Sequence, residues 1–145
     1  MNKKKRIIAA LLCVALTLSM GAMATYNLDN VEVVTTATSD VMSSIANTFD
    51  LNSNTGYAYY NAATTGTMAA TKSSVTVVIQ RKEGSNWVNV TGTSKTTNSS
   101  DRYAYAWGEY YLLKGYWYRV KSYHVVYQGT TPYSDTMYSQ LEWYN

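Results

Sequence analysis

The run from Tyr116 to Tyr127 most narrows the fold open to this chain, because its side chains divide by parity into two unlike sets. Tyr118, Val120, His124 and Val126 fall on one side of an extended strand, and Trp117, Arg119, Lys121, Tyr123, Val125 and Tyr127 on the other. An antiparallel sheet with one face packed and one face wet produces this division, whereas a helix would spread both sets around its circumference. The same period recurs upstream. Val75, Val77 and Ile79 share a face, and Lys82-Glu83-Gly84-Ser85-Asn86 turns that run into Trp87 to Val90, a hairpin signal. Tyr103, Tyr105 and Trp107 alternate with Ala104 and Ala106.

Other segments complete the pattern. Val41, Ile45, Phe49 and Leu51 share parity ahead of the turn Asn52 to Gly56, as a first strand or with a short helical turn around Val41 to Ala46. Tyr57 to Ala63 is a second strand, and Tyr133 to Trp143 a last one after the turn Gln128 to Pro132. The Ser/Thr-rich stretch Gly92 to Asp101 reads as an exposed, mobile loop. Tyr, Trp, Thr and Val abound, with one Pro in the whole chain. The expected fold is an antiparallel β-sandwich of about seven strands.

The N-terminus carries a different grammar. Lys3 to Arg6 are basic, Ile7 to Met20 form an apolar run, and Ala22-Met23-Ala24 offers small residues at a cleavage site. Residues 1–24 are expected to be a secretory signal peptide cut after Ala24, 25–40 an arm or linker that adds at most an edge strand, and 41–145 the sandwich domain. The apolar run is shorter than a membrane-spanning helix needs, so contact with a membrane is expected only through an uncut leader. Cys13 follows Leu12 instead of a small residue, which disfavours a lipid-carrying cysteine.

Cleavage changes what the composition means. Removing 24 of the 145 residues leaves 121, enough for one domain. Four of the 12 basic residues lie in the leader, so eight remain against nine acids and the net charge passes from +3 to −1. No case for nucleic acid survives that subtraction. The single cysteine is lost too, so the exported domain must be held by burial and strand pairing alone. Export without cysteine suits a bacterial exterior, a Gram-positive one in particular. The sequons at Asn89 and Asn98 then have no role.

The segment Leu113-Lys114-Gly115-Tyr116-Trp117-Tyr118-Arg119-Val120 resembles the Leu-x-Gly-x-x-Tyr-x-Val signature that leads into the F strand of fibronectin type III and related immunoglobulin-like domains. The resemblance implies that Tyr118 is a tyrosine corner and Val120 a core residue. Ile79 to Val90 resembles the C to C′ hairpin of the same class. The layout is also similar to small exported Firmicutes proteins of unknown function. There is no Trp before Trp87 where fibronectin domains place one in the B strand. Such sandwiches serve as adhesion, spacer or ligand-binding modules, and the fold does not choose among them.

Reactive chemistry is sparse. His124, the sole histidine, shares the inner parity of its strand and is expected to be partly buried. A Ser-His-Asp set through Asp101 or Asp135 lacks any nucleophile motif. One histidine and no cysteine after residue 24 do not make a zinc site, and no cofactor is implied. Asp50 to Gly56 starts like a calcium loop, but its glycine comes one place late and Asn61 stands where the bidentate Glu belongs, so a polar turn is expected. The remaining carboxylates show no paired spacing for glycoside hydrolysis. The chain therefore reads as a non-enzyme.

The most informative feature is again the long strand. Trp117, Arg119, Lys121, Tyr123 and Tyr127 form the expected ligand-binding set, where rings alternate with cationic tips. Such a face would stack on the sugars of a cell-wall glycan or on an extracellular protein, its cations meeting wall anions. Alternatively, Arg119 and Lys121 simply cover neighbouring rings in cross-strand pairs. A secreted binding module, extracellular or associated with the cell wall, is the resulting expectation. A bacteriocin-like antagonist or a self-associating surface protein stand beside it.

Overall fold

A computed structural model describes residues 31–34 and 39–145 of the chain. The expected leader, 1–24, lies outside those residues. The described part is all β: β1 (Val31–Val34), β2 (Met42–Leu51), β3 (Tyr57–Gly66), β4 (Lys72–Glu83), β5 (Asn86–Asn89), β6 (Lys95–Ser99), β7 (Tyr103–Tyr111), β8 (Tyr116–Gln128), β9 (Thr131–Tyr138) and β10 (Glu142–Tyr144). They form two antiparallel sheets. The first runs β1-β2-β3-β7. In the second, β4 and β8 pair at the centre, β5 and β6 share the far side of β4, and β9 and β10 share the far side of β8.

The described residues hold ten strands against the seven or so expected, and two local readings change with them. The first-strand reading holds over the helical-turn alternative from Met42 onward, since Ile45 and Ala46 pair with Thr64 and Ala63 of β3. The Ser/Thr-rich loop contains β6, in which Lys95 to Ser99 pair with Val77 to Ser73. Thr hydroxyls support it: Thr76 and Thr96 meet at 2.8 Å, and buried Thr93 accepts from the Ile79 amide at 3.1 Å. The expected last strand breaks in two at Ser139, whose Oγ accepts the Val120 amide at 2.8 Å. Within the arm, Val31 to Val34 pairs with Thr48 to Ile45 as an edge strand.

Two tight hairpins follow from glycines at the first turn position. Gly84 (φ 60) and Gly129 (φ 62) sit between the pairs Glu83/Asn86 and Gln128/Thr131, the placement of a type II′ turn whose twist matches that of the strands.

The core lies between the sheets. Its small side chains are on the first sheet, where Ala58, Ala62, Ala104 and Ala106 point inward. Val75, Val77, Ile79 and Val120 of the second sheet face them, and Phe49, Tyr60 and Tyr118 fill the depth. The alternation of Tyr103, Tyr105 and Trp107 with alanines is thus resolved with the alanines inside. Space explains it: buried Tyr60 lies directly against Gly108, where a Cβ would collide with the phenol. The Tyr60 hydroxyl donates to the Thr93 carbonyl at 2.6 Å, and burial, then Tyr110 nearby, pushes its pKa up to about 12. Tyr118 donates to the Leu113 carbonyl at 2.7 Å, five residues upstream, which is tyrosine-corner geometry. A second cluster, Val41, Met42, Ile45, Val126 and Met137, closes the other end.

Candidate binding face

The inner positions of β8, from Tyr118 through Val120, Ser122 and His124 to Val126, are at most 1% exposed. Trp117, Arg119, Lys121, Tyr123 and Tyr127 lie on the opposite face. Trp117 and Tyr123 are 42% and 46% exposed, whereas Val125 on the same side is buried.

Neighbouring strands bring partners that no spacing in the sequence announces. Across the end of the sheet, Trp87 of β5 is opposite Lys82 of β4, and Trp143 of β10 is opposite Trp117. Trp117 and Trp143 rings lie 5.5 Å apart, tilted by 52°, and Trp143 is 43% exposed. Three of the chain's four tryptophans therefore share this end of one face. Trp87 stands two strands from Trp117, roughly 10 Å at the usual strand spacing.

Arg119 is fixed beneath this row. Its guanidinium is 4.2 Å from the Trp87 ring centre and 4.1 Å from that of Tyr138, so it is sandwiched between two rings. Its Nε donates to Gln80 Oε1 at 2.9 Å, and Gln80 Nε2 donates to Asn89 Oδ1 at 2.9 Å. Burial lowers its pKa from the ordinary arginine value, partly opposed by Tyr138. Arg119 is thus a brace that holds Trp87 and Tyr138 in place, the cross-strand role left open above. Lys121 lies opposite Tyr138, and Lys72 covers the Tyr127 ring at 4.1 Å. The face presents Lys72, Lys82, Arg119 and Lys121, with no carboxylate among the described outward positions of β4, β5, β8, β9 and β10.

His124 is wholly buried, not partly, and faces the interior. Its ring nitrogens lie 2.8 Å from Thr64 Oγ1 and 2.8 Å from Ser122 Oγ. Asn47 Nδ2 donates to the same Ser122 oxygen at 2.9 Å. With the proton on Nε2, the imidazole donates to Ser122 and accepts from Thr64, using both nitrogens in the neutral form. Burial lowers the pKa to about 4, against a smaller upward pull from Asp135. Ser122 and His124 have the spacing of a nucleophile and its base, but neither has exposed surface for a substrate to reach. They work as a polar layer between the two apolar clusters.

The turn at Asn52 is closed by its own side chain, whose Oδ1 accepts from the amides of Asn54 and Thr55 at 3.0 and 3.2 Å. A cleft of about 370 Å³ opens at one end of the sandwich, lined by Val88, Tyr110, Tyr111, Leu113 and Tyr118. The ion-paired Arg81 and Glu83 stand at its wall.

No family model matches this chain. No curated protein and no solved structure matches it either, so its function is read from its own surface chemistry.

Proposed function

We propose that this chain is a secreted, non-catalytic binding module that works at the exterior of a bacterial cell and holds a cell-wall glycan on the outer face of its second sheet. The observation that carries the reading is the row Trp87, Lys82, Trp117 and Trp143, set across four strands and braced by Arg119. Indoles held side by side stack on the apolar faces of sugar rings, and a spacing of two strands suits alternate rings of an extended polymer. Lysines without local carboxylates meet the anionic groups of wall polymers. Rings fixed by packing lose little freedom on binding, which favours affinity.

The fibronectin type III resemblance supports a modular role. Two antiparallel sheets, with β2-β3-β7 in one and β5-β4-β8-β9 in the other, are what such a module needs. The leader expected at 1–24 supports export.

Co-sedimentation of the chain starting at Thr25 with insoluble wall material is the test. Wild type should pellet with the wall, and Trp117→Ala should weaken binding about tenfold, the effect of ~1.4 kcal/mol. Equal recovery of both proteins in the supernatant, across wall preparations and neutral polysaccharides, would remove the glycan reading.

A further inference from the structure

The outer face of the first sheet is aromatic as well, and its charge is of the other sign. Tyr59 of β3 lies between Asp50 of β2 and Glu109 of β7. Its ring stacks on Trp107 with centres 6.1 Å apart, and Tyr57 meets Tyr111 edge to face at 5.4 Å. Trp107 is 47% exposed and Tyr111 is 68% exposed. Every described outward position of β2, β3 and β7 is neutral except Asp50 and Glu109. The outward positions of β4, β5, β8, β9 and β10 carry Lys72, Lys82, Arg119 and Lys121 and no carboxylate, Glu83, Asp135 and Glu142 being at inward positions.

One sandwich therefore shows an acidic aromatic face on one side and a basic aromatic face on the other. Like faces repel: two basic faces would oppose their lysines, and two acidic faces their carboxylates. Opposite faces suit each other, lysines toward Asp50 and Glu109 and rings toward rings. We infer that the partner of the first sheet's outer face is a second copy of this chain, docked through the basic aromatic face of its second sheet. The contact is heterologous, since the two patches differ and lie on opposite sides of the molecule. A docked pair still has one patch of each kind free, so addition continues into an open stack instead of closing as a dimer.

This assembly goes beyond glycan binding but shares the second sheet's face with it. Wall fragments and a neighbouring copy compete for Trp117, and a soluble fragment that occupies that face shortens the stacks.

Sedimentation velocity over a concentration series tests the inference on the chain starting at Thr25. Wild type should show a weight-average coefficient that climbs without a plateau at dimer. It should collapse toward monomer as salt rises from about 0.1 M to about 1 M, which shortens the screening length from about 10 Å to about 3 Å. Trp107→Ala, on the first sheet, should weaken self-association at least tenfold and leave wall co-sedimentation at the wild-type level. Trp117→Ala should reduce both, so failure of the assembly and failure of the glycan reading are told apart.

Charge exchange gives the decisive arm. Asp50→Lys/Glu109→Lys and Lys82→Glu/Lys121→Glu should each be monomeric alone, their circular dichroism confirming that they fold, and should associate when mixed. A wild type that stays monomeric at every concentration overturns the inference. So does a closed dimer, an assembly indifferent to Trp107→Ala, or a mixture of the two charge variants that stays monomeric.

Discussion

Burial holds the His124 imidazole neutral, with a pKa of about 4 in place of its ordinary 6.5, and that difference couples stability to pH. The unfolded chain takes up a proton near pH 6.5, and the folded chain not until about pH 4. Between those values the unfolded state binds more protons, so stability falls as pH drops through that window and levels off below it. The loss amounts to about 3 kcal/mol at 1.36 kcal/mol per pH unit. Urea unfolding from pH 7 to pH 4 should show this decline in wild type, and a His124→Gln variant should lose the slope across the same window. Tyr60 has the opposite sense: its pKa is raised to about 12, so its contribution is complete below pH 10 and lost as pH rises toward 12. Gly108→Ala should cost roughly 1–3 kcal/mol, because the added methyl meets the Tyr60 phenol from a backbone that has no room to retreat. A denaturation midpoint unchanged by that substitution would show that the two strands are more loosely packed than described.

Among the elements, the break between β9 and β10 matters most to the surface. From Tyr118 to Lys121 of β8 the opposing chain runs from Glu142 to Tyr138, one residue more than an uninterrupted ladder allows. This bulge shifts parity. Continuous pairing from Tyr138 onward would bring Glu142 opposite Trp117 and turn Trp143 inward. With the extra residue, Trp143 stands beside Trp117 outside and Tyr144 enters the core. Ser139 secures the bulge, its Oγ accepting the Val120 amide and its own amide donating to the Val120 carbonyl at 2.9 Å. Ser139→Ala strands that amide and should cost about 1–3 kcal/mol in urea unfolding. The expected accompaniment is a weaker near-ultraviolet circular dichroism signal from the Trp117–Trp143 pair. β1 has a comparable role at the other edge, where it covers four residues of β2 from Ile45 to Thr48. A chain begun at Ser39 uncovers that edge and should aggregate at lower concentration than one begun at Thr25, as light scattering would read.

At the scale of the whole molecule, two packed sheets without a disulfide after residue 24 bury alanines, valines and a few large rings. They also display on both outsides the aromatic residues that such a core does not accommodate. That inversion puts aromatic rings on both outer faces of a small protein. Their opposite charge is a property of neither face alone.

Local sequence settled the parts that depend on period and turn chemistry. Alternation identified the strands and the inner side of β8, because side chains on a pleated strand project to opposite faces in turn. Gly84 and Gly129 marked the hairpins, and the fibronectin-like resemblance around Tyr118 implied the corner bond it makes to Leu113. The leader expected at 1–24 rests on a local charge-apolar-small order too, but it lies outside the described residues. Tertiary structure decided what depends on register between distant strands. Nothing near Arg119 in the chain indicates that Trp87 and Tyr138 close over it, or that Trp143 reaches Trp117 past a bulge. β6 escaped notice because its Thr, Asn and Ser pair with Val77 to Ser73 along an open edge and show no apolar alternation. Period is a property of one strand and can be read residue by residue. Register is a property of two strands, set by the packing of their inner faces, and one inserted residue reverses what the outer face displays.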